Sequence, residues 1–202
     1  MAGGAARRFG GVPKGLCRVH GRRIADRVLG ALGDACEARV VVANDARASR
    51  WFPGLPTVAD REAGLGPLAG LATALRAASG TAALVVAWDM PFVTAELLRA
   101  LRHRGEMAGR TTVPVHGPAH VREPLCAYYR PDALEALEAL LAGGERRAHV
   151  LYEVLAARHA AIAMPDAELL AFGDPSGLFT SVDTPHALAA LHGELPDPRE
   201  LV

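Results

Sequence analysis

The chain has 202 residues, half of them hydrophobic, with Lys+Arg and Asp+Glu balanced at 22 each. That length suits one domain with a proper buried core, and the composition excludes a disordered chain. Zero net charge excludes a protein that recruits nucleic acid or an acidic membrane through an overall field, so any anion must be met at a local site. Cys17, Cys36 and Cys126 stand far apart, with no CxxC or zinc-finger spacing. An odd count makes no disulfide framework, and a reducing, cytoplasmic compartment is expected. No apolar run reaches transmembrane length and no hydrophobic signal core opens the chain. One domain over 1–193 is expected, followed by a loose tail over 194–202 that carries two prolines.

In chain order, the first feature is a glycine-rich stretch, 2–15, with adjacent Arg7 and Arg8 and ending on Lys14-Gly15. Lys14 is the only lysine, since 21 of the 22 basic residues are arginine. Glycines let a backbone turn its N–H groups onto an anion, and a lysine is a compact charge that fits between phosphate oxygens. The plain alternative is a disordered arm of small residues. Next, the spacing of Ile24, Val28, Leu29 and Leu32 predicts a helix. Residues 39–43 read as a doubly buried strand ending at Asn44-Asp45, and 55–59 as another that delivers Asp60. Pro67 opens a helix through Arg76. The run 82–87 is the strongest strand and leads into Trp88-Asp89-Met90-Pro91. Thr94 then caps a helix whose buried stripe is Leu97, Leu98 and Leu101.

The second half is less regular. Strands are expected over 111–115 and, near a sheet edge, over 125–129. Helices are expected over 131–141 and 149–157, a strand over 160–163, and a last helix from Pro185 to about Leu191. Short apolar strands alternating with amphipathic helices predict an α/β fold with a mostly parallel sheet. In such sheets ligands bind beyond the carboxyl ends of strands, where Asn44, Asp60 and Asp89 would converge beside the glycine loop.

The ordered strings then become specific. Ala2-Gly3-Gly4 with Arg7-Arg8-Phe9-Gly10-Gly11 and Lys14-Gly15 resembles the signature loop of the molybdenum cofactor guanylyltransferases. The likeness continues through Gly66-Pro67-Leu68-Ala69-Gly70, Asp89-Met90-Pro91-Phe92 and Glu123-Pro124-Leu125. Gly144-Glu145-Arg146-Arg147 and Phe179-Thr180-Ser181-Val182-Asp183-Thr184-Pro185 complete it. The resemblance implies a three-layer nucleotidyltransferase fold similar to a Rossmann fold. It also implies transfer of GMP from GTP to the phosphate of the molybdenum–molybdopterin cofactor, with release of pyrophosphate. Carried over, the backbone of Ala2, Gly3 and Gly4 approaches the nucleotide, Lys14 neutralises its phosphates with help from Arg7 and Arg8, Asn44 and Asp60 contact the nucleoside, and Asp89 holds Mg²⁺. Lys14 and Asp89 are then the catalytic pair. Partners implied by the family are other molybdenum cofactor biosynthesis proteins and acceptor molybdoenzymes, with no nucleic acid and no membrane.

Physical reasoning agrees with that carry-over. Attack of one phosphate on another brings anions together, so catalysis is mostly positioning and charge stabilisation. Mg²⁺ takes one or two protein carboxylates. Asp60 suits the N1–H and 2-amino donors of guanine. Some positions keep two readings: Asp89 as a strand-end turn residue, Asp183 as a helix N-cap or a second metal ligand, and Arg146-Arg147 as a solvated face or the patch that meets the pterin phosphate. Ala43 can also take the place assigned to Asn44. The eight histidines, His116 and His120 among them, show no metal pattern, and Trp51 and Trp88 are too isolated to suggest a stacking platform. The family loop follows a buried apolar strand, whereas here Met1 directly precedes Ala2. That first strand is expected upstream, about five to eight residues long. Rival readings are a cytidylyltransferase or other nucleotidyltransferase acting on a phosphorylated acceptor, and a non-catalytic nucleotide- or pterin-binding protein.

Overall fold

The computed structural model describes residues 1, 9–60 and 65–201. A tight hairpin of β1 (Arg18–Val19) and β2 (Arg22–Arg23), not signalled by any apolar run, leads into α1 (Ile24–Ala35). β3 (Val41–Val42) and β4 (Thr57–Val58) follow, separated by α2 (Ala48–Trp51). They pair in parallel, Val41 with Thr57 and Val42 with Val58, so their carboxyl ends lie side by side. α3 (Pro67–Ala77) opens on its proline as expected, after Gly66 at φ 82°, a conformation that favours glycine. β5 (Ala83–Val86) precedes α4 (Ala95–Ala108), whose N-cap is Thr94 with its hydroxyl accepting from Leu97 N at 3.2 Å.

β6 (Thr111–His116), β7 (Val121–Arg122) and β8 (Cys126–Tyr129) come next, then α5 (Ala133–Ala142) and α6 (His149–Ala157). β9 (Ala161–Pro165), α7 (Asp166–Leu169), α8 (Pro175–Leu178) and α9 (Pro185–Ala190) complete the order. The main sheet runs β5–β8–β6–β7, with β9 also on β6.

One expectation needs correction. The sheet is mostly antiparallel among the described residues: β5–β8, β8–β6 and β6–β7 are antiparallel, and only β6–β9 is parallel within it. The reason is local. Gly117 at φ 69° and His120 at φ 49° turn the chain back after β6, and no helix intervenes before β8, whereas parallel neighbours need a long crossover. β8 is one strand in from β5, which ends the strand order among the described residues. It lies between β5 and β6 with all four residues buried.

Its alternation explains that place. Cys126 and Tyr128 join a core with Val86, Leu97, Leu98 and Leu101, against α1 and α4. Ala127 and Tyr129 join Val85, Leu71, Leu137 and Leu151, against α3, α5 and α6. Helices therefore cover both faces. On its other edge, β5 is bonded to Met1: the α-amine donates to Val86 O at 2.6 Å, and the Met1 carbonyl accepts from Trp88 N at 3.0 Å.

Residues 194–201 are bonded to the first hairpin and to Arg47. Arg18 and Glu194 exchange both backbone hydrogen bonds at 2.8 Å, Glu200 accepts from the Arg18 guanidinium at 2.6 Å, and the Leu201 carbonyl accepts from Arg47 at 2.7 Å.

Candidate active site

The parallel pairing of β3 and β4 brings the first polar residues past their ends together. Ala43 is buried against Trp51 and Phe52, whereas Asn44 is exposed. Asn44 Oδ1 accepts from the backbone N–H of Asp60 at 2.8 Å. Of the two candidates for the nucleoside contact, Asn44 is therefore the one that turns a polar side chain outward. Asp60 Oδ1 in turn accepts from Thr73 Oγ1, a buried hydroxyl on α3, at 3.1 Å.

β5 ends at Val86, and Asp89 follows three residues later with its side chain 14% exposed. Its backbone carbonyl accepts from Val182 N at 2.9 Å, which brings the 179–183 segment alongside. Asp183 does not cap α9. Thr184 is the N-cap, its hydroxyl accepting from Ala187 N at 3.0 Å. The Asp183 carboxylate instead reaches Lys14.

Lys14 joins these elements. Its Nζ donates to Asp89 Oδ2 at 2.7 Å and to Asp183 Oδ1 at 2.7 Å. Gly15 sets the approach, because a Cβ there would overlap the Trp88 ring. Burial works against the Lys14 charge, yet the charges and hydrogen bonds of Asp89 and Asp183 outweigh it and raise the ammonium pKa above its ordinary 10.5. Two carboxylates converging on one cation are also a hard oxygen donor set of the kind and number Mg²⁺ takes from protein. The residues present thus fit that ion.

Gly10, Gly11, Asn44, Asp60, Asp89 and Asp183 line one cleft of about 1510 Å³, and Lys14 reaches it through its bonds to Asp89 and Asp183. Ala2, Gly3, Gly4, Arg7 and Arg8 lie outside the described residues. Arg147 borders the cleft too, but its guanidinium is paired with Glu145, Nη2 to Oε2 at 2.8 Å and Nε to Oε1 at 3.0 Å. Arg147 and the Arg146 and Arg147 backbone N–H groups hold the Glu145 carboxyl well below the usual carboxylate range. Trp51 and Trp88, expected to be isolated, pack together with ring centroids 6.3 Å apart and are buried, so they form core at the cleft wall.

Sequence reasoning did not single out the His116–Glu123 pair, in which His116 Nε2 lies 3.0 Å from Glu123 Oε1 at the cleft border. Glu123 had appeared only as a letter in a family string, and spacing gave no sign that the β6–β7 hairpin joins it to His116. Burial pushes the Cys17 thiol up to about 11 and raises that of Cys126 as well, so both stay protonated at neutral pH. Among the described residues no group of three or more His, Cys, Asp or Glu could hold a metal ion, and no helix is long and apolar enough to cross a membrane.

The protein has a sheet covered by helices on both faces, with a lysine held between two carboxylates that line one cleft. Its fold matches that of a putative glucose-1-phosphate thymidylyltransferase from Bacillus anthracis, with a TM-score of 0.74 over 94% of this chain and 91% of that chain at 13% identity, a likeness of fold alone. Residues 1–163 match the MobA-like NTP transferase domain, and the chain belongs to that family. A probable molybdenum cofactor guanylyltransferase from Chloroflexus aggregans is 37% identical over 161 residues, 77% of this chain and 75% of that protein. The molybdopterin-guanine dinucleotide biosynthesis protein A of Archaeoglobus fulgidus has a similar structure, with a TM-score of 0.76 and 29% identity over 94% of this chain and 93% of that one.

Proposed function

We propose that the protein transfers GMP from GTP to the terminal phosphate of the molybdenum–molybdopterin cofactor and releases pyrophosphate. The observation that carries this reading is Lys14 held between Asp89 and Asp183 on the cleft of a chain in the MobA-like family. An oxygen of the acceptor phosphate forms a bond to the α-phosphorus as the bond to the bridging oxygen breaks, and pyrophosphate leaves with that electron pair. No protein nucleophile is required.

Asn44 and Asp60 bind the guanosine end, where the Asp60 carboxylate accepts from guanine N1–H and the 2-amino group. Ala2, Gly3, Gly4 and Arg8 offer donors to the phosphates from the glycine loop, alongside the exposed Gly10 and Gly11. Lys14 is positioned to exchange a carboxylate oxygen for a phosphate oxygen, keeping its charge on the group that turns most negative. Asp89 and Asp183 would hold Mg²⁺, which neutralises phosphate charge when bound. A cytoplasmic setting and contact with acceptor molybdoenzymes fit this role. The direct test incubates the protein with Mg²⁺, GTP and molybdenum–molybdopterin and identifies the product by mass: the guanine dinucleotide cofactor supports the reading, and unchanged cofactor refutes it.

A further inference from the structure

We propose that Glu123, oriented by His116, recognises the pterin ring of the acceptor through the N3–H and 2-amino donors of its pyrimidinone edge. The assignment rests on the guanylyltransferase reading and deepens it. The cleft lining includes Asn44 and Asp60 past the ends of β3 and β4, Asp89 past the end of β5, and Glu123 just before β8. With the nucleoside at Asn44 and Asp60 and phosphates at Lys14, Glu123 remains for the acceptor ring.

The chemistry there is specific. Glu123 is 15% exposed and His116 14%, and the bond between their side chains joins His116 Nε2 and Glu123 Oε1. Oε2 accepts from no described residue. Burial is the main reason the Glu123 carboxyl titrates above its ordinary 4.5. The charge of Asp89 adds to it, and His116 opposes it. A carboxylate on the cleft lining with one protein donor keeps acceptor capacity for N–H donors of a bound ligand. A phosphate cannot supply them, since it would add like charge. A neutral ring with two adjacent N–H donors can.

Guanine and pterin carry the same amino-oxo-pyrimidine edge, and the reaction joins one of each. The cleft lining correspondingly includes two carboxylates available for such edges, Asp60 and Glu123. Glu123 is also held in place. The His116 ring stacks on Phe179 with centroids 4.9 Å apart and planes at 26°, and Phe179 begins the segment that carries Asp183. An ionised Glu123 accepts from the Nε2–H tautomer of His116, which makes His116 a positioning residue.

The test uses the full chain and two matched probes, a pterin monophosphate and the corresponding lumazine monophosphate, which has a 2-oxo group in place of the 2-amino group. Wild type should bind the pterin about tenfold or more tightly than the lumazine. Glu123→Gln should lose that preference and raise the acceptor KM by about tenfold, with the GTP KM unchanged. His116→Ala should give a weaker version of the same effect, and His116→Gln, which keeps an N–H toward Glu123, should restore most of it. Equal binding of both probes by wild type would overturn the assignment, as would an unchanged acceptor KM or a raised GTP KM in Glu123→Gln. If wild type prefers the pterin but makes no dinucleotide with GTP, the guanylyltransferase reading fails while the Glu123 assignment stands.

Discussion

The ammonium of Lys14 holds together two carboxylates that come from distant parts of the chain, Asp89 after β5 and Asp183 before α9. Its removal has two consequences that separate its roles. Lys14→Met should lower turnover by about 10²–10³-fold, the usual effect of deleting one preorganised charge at a phosphoryl or acyl centre. The same variant should bind Mg²⁺ more tightly than wild type without nucleotide, because the carboxylates no longer have a competing cation. Calorimetric Mg²⁺ titration checks this, and equal affinity would mean that Asp89 and Asp183 form no cation site. Glu123 gives a pH prediction. Its folded pKa lies above the ordinary 4.5, so the folded state holds more protons than the unfolded state just above that pH. Its favourable contribution is full below 4.5 and is lost as pH rises through the folded pKa. Glu123→Gln has no such loss, so its melting temperature should gain on wild type between pH 4 and pH 7. A constant difference across that range would contradict the account. At this scale the sequence was informative where one residue type was unusual, as with the sole lysine. It was ambiguous at Asp183-Thr184-Pro185, where either of two adjacent residues can cap a helix and only geometry selects Thr184.

Among the elements, α4 packs directly on β8, and Gly105 permits the approach. A Cβ at Gly105 would overlap the Tyr128 ring and lie 2.9 Å from the Arg110 carbonyl. Alanine at a helix-interior glycine gains about 1 kcal/mol of propensity, but overpacking a core costs about 1–3 kcal/mol. The clash involves backbone and a buried aromatic ring, so it wins. Gly105→Ala should be destabilised by up to about 2 kcal/mol in urea denaturation, and a more stable variant would contradict this packing. Thr94, Pro67 and the leucine stripe of α4 made the helices legible, since caps and 3.6-residue spacing are local signals. Strand direction was not legible. A run such as Cys126-Ala-Tyr-Tyr129 reads the same in either orientation, and the turn after β6, whose Gly117-Pro118 marks a break, does not by itself say which strand the chain returns to. The two-residue strands β1 and β2 are too short to show an alternation.

For the molecule as a whole, the 194–201 segment closes against the β1 hairpin and brings Leu201 to the cluster of Leu16, Trp51 and Trp88 beneath the cleft. Ending the chain at Gly193 should lower the melting temperature by about 4–8 °C, from the loss of two backbone hydrogen bonds and an apolar contact worth about 2 kcal/mol together. An unchanged melting temperature would show the segment to be dispensable. The central claim is that the cleft selects GTP and uses Asp89 to transfer its nucleotidyl group. The measurement that bears on it most directly is pyrophosphate release with molybdenum–molybdopterin, Mg²⁺ and each of GTP, CTP, ATP and UTP, for wild type and Asp89→Asn. The account predicts release with GTP well above the other three, falling by about 10²-fold or more in Asp89→Asn. Release with CTP in preference to GTP, or equal release by wild type and Asp89→Asn, would contradict it.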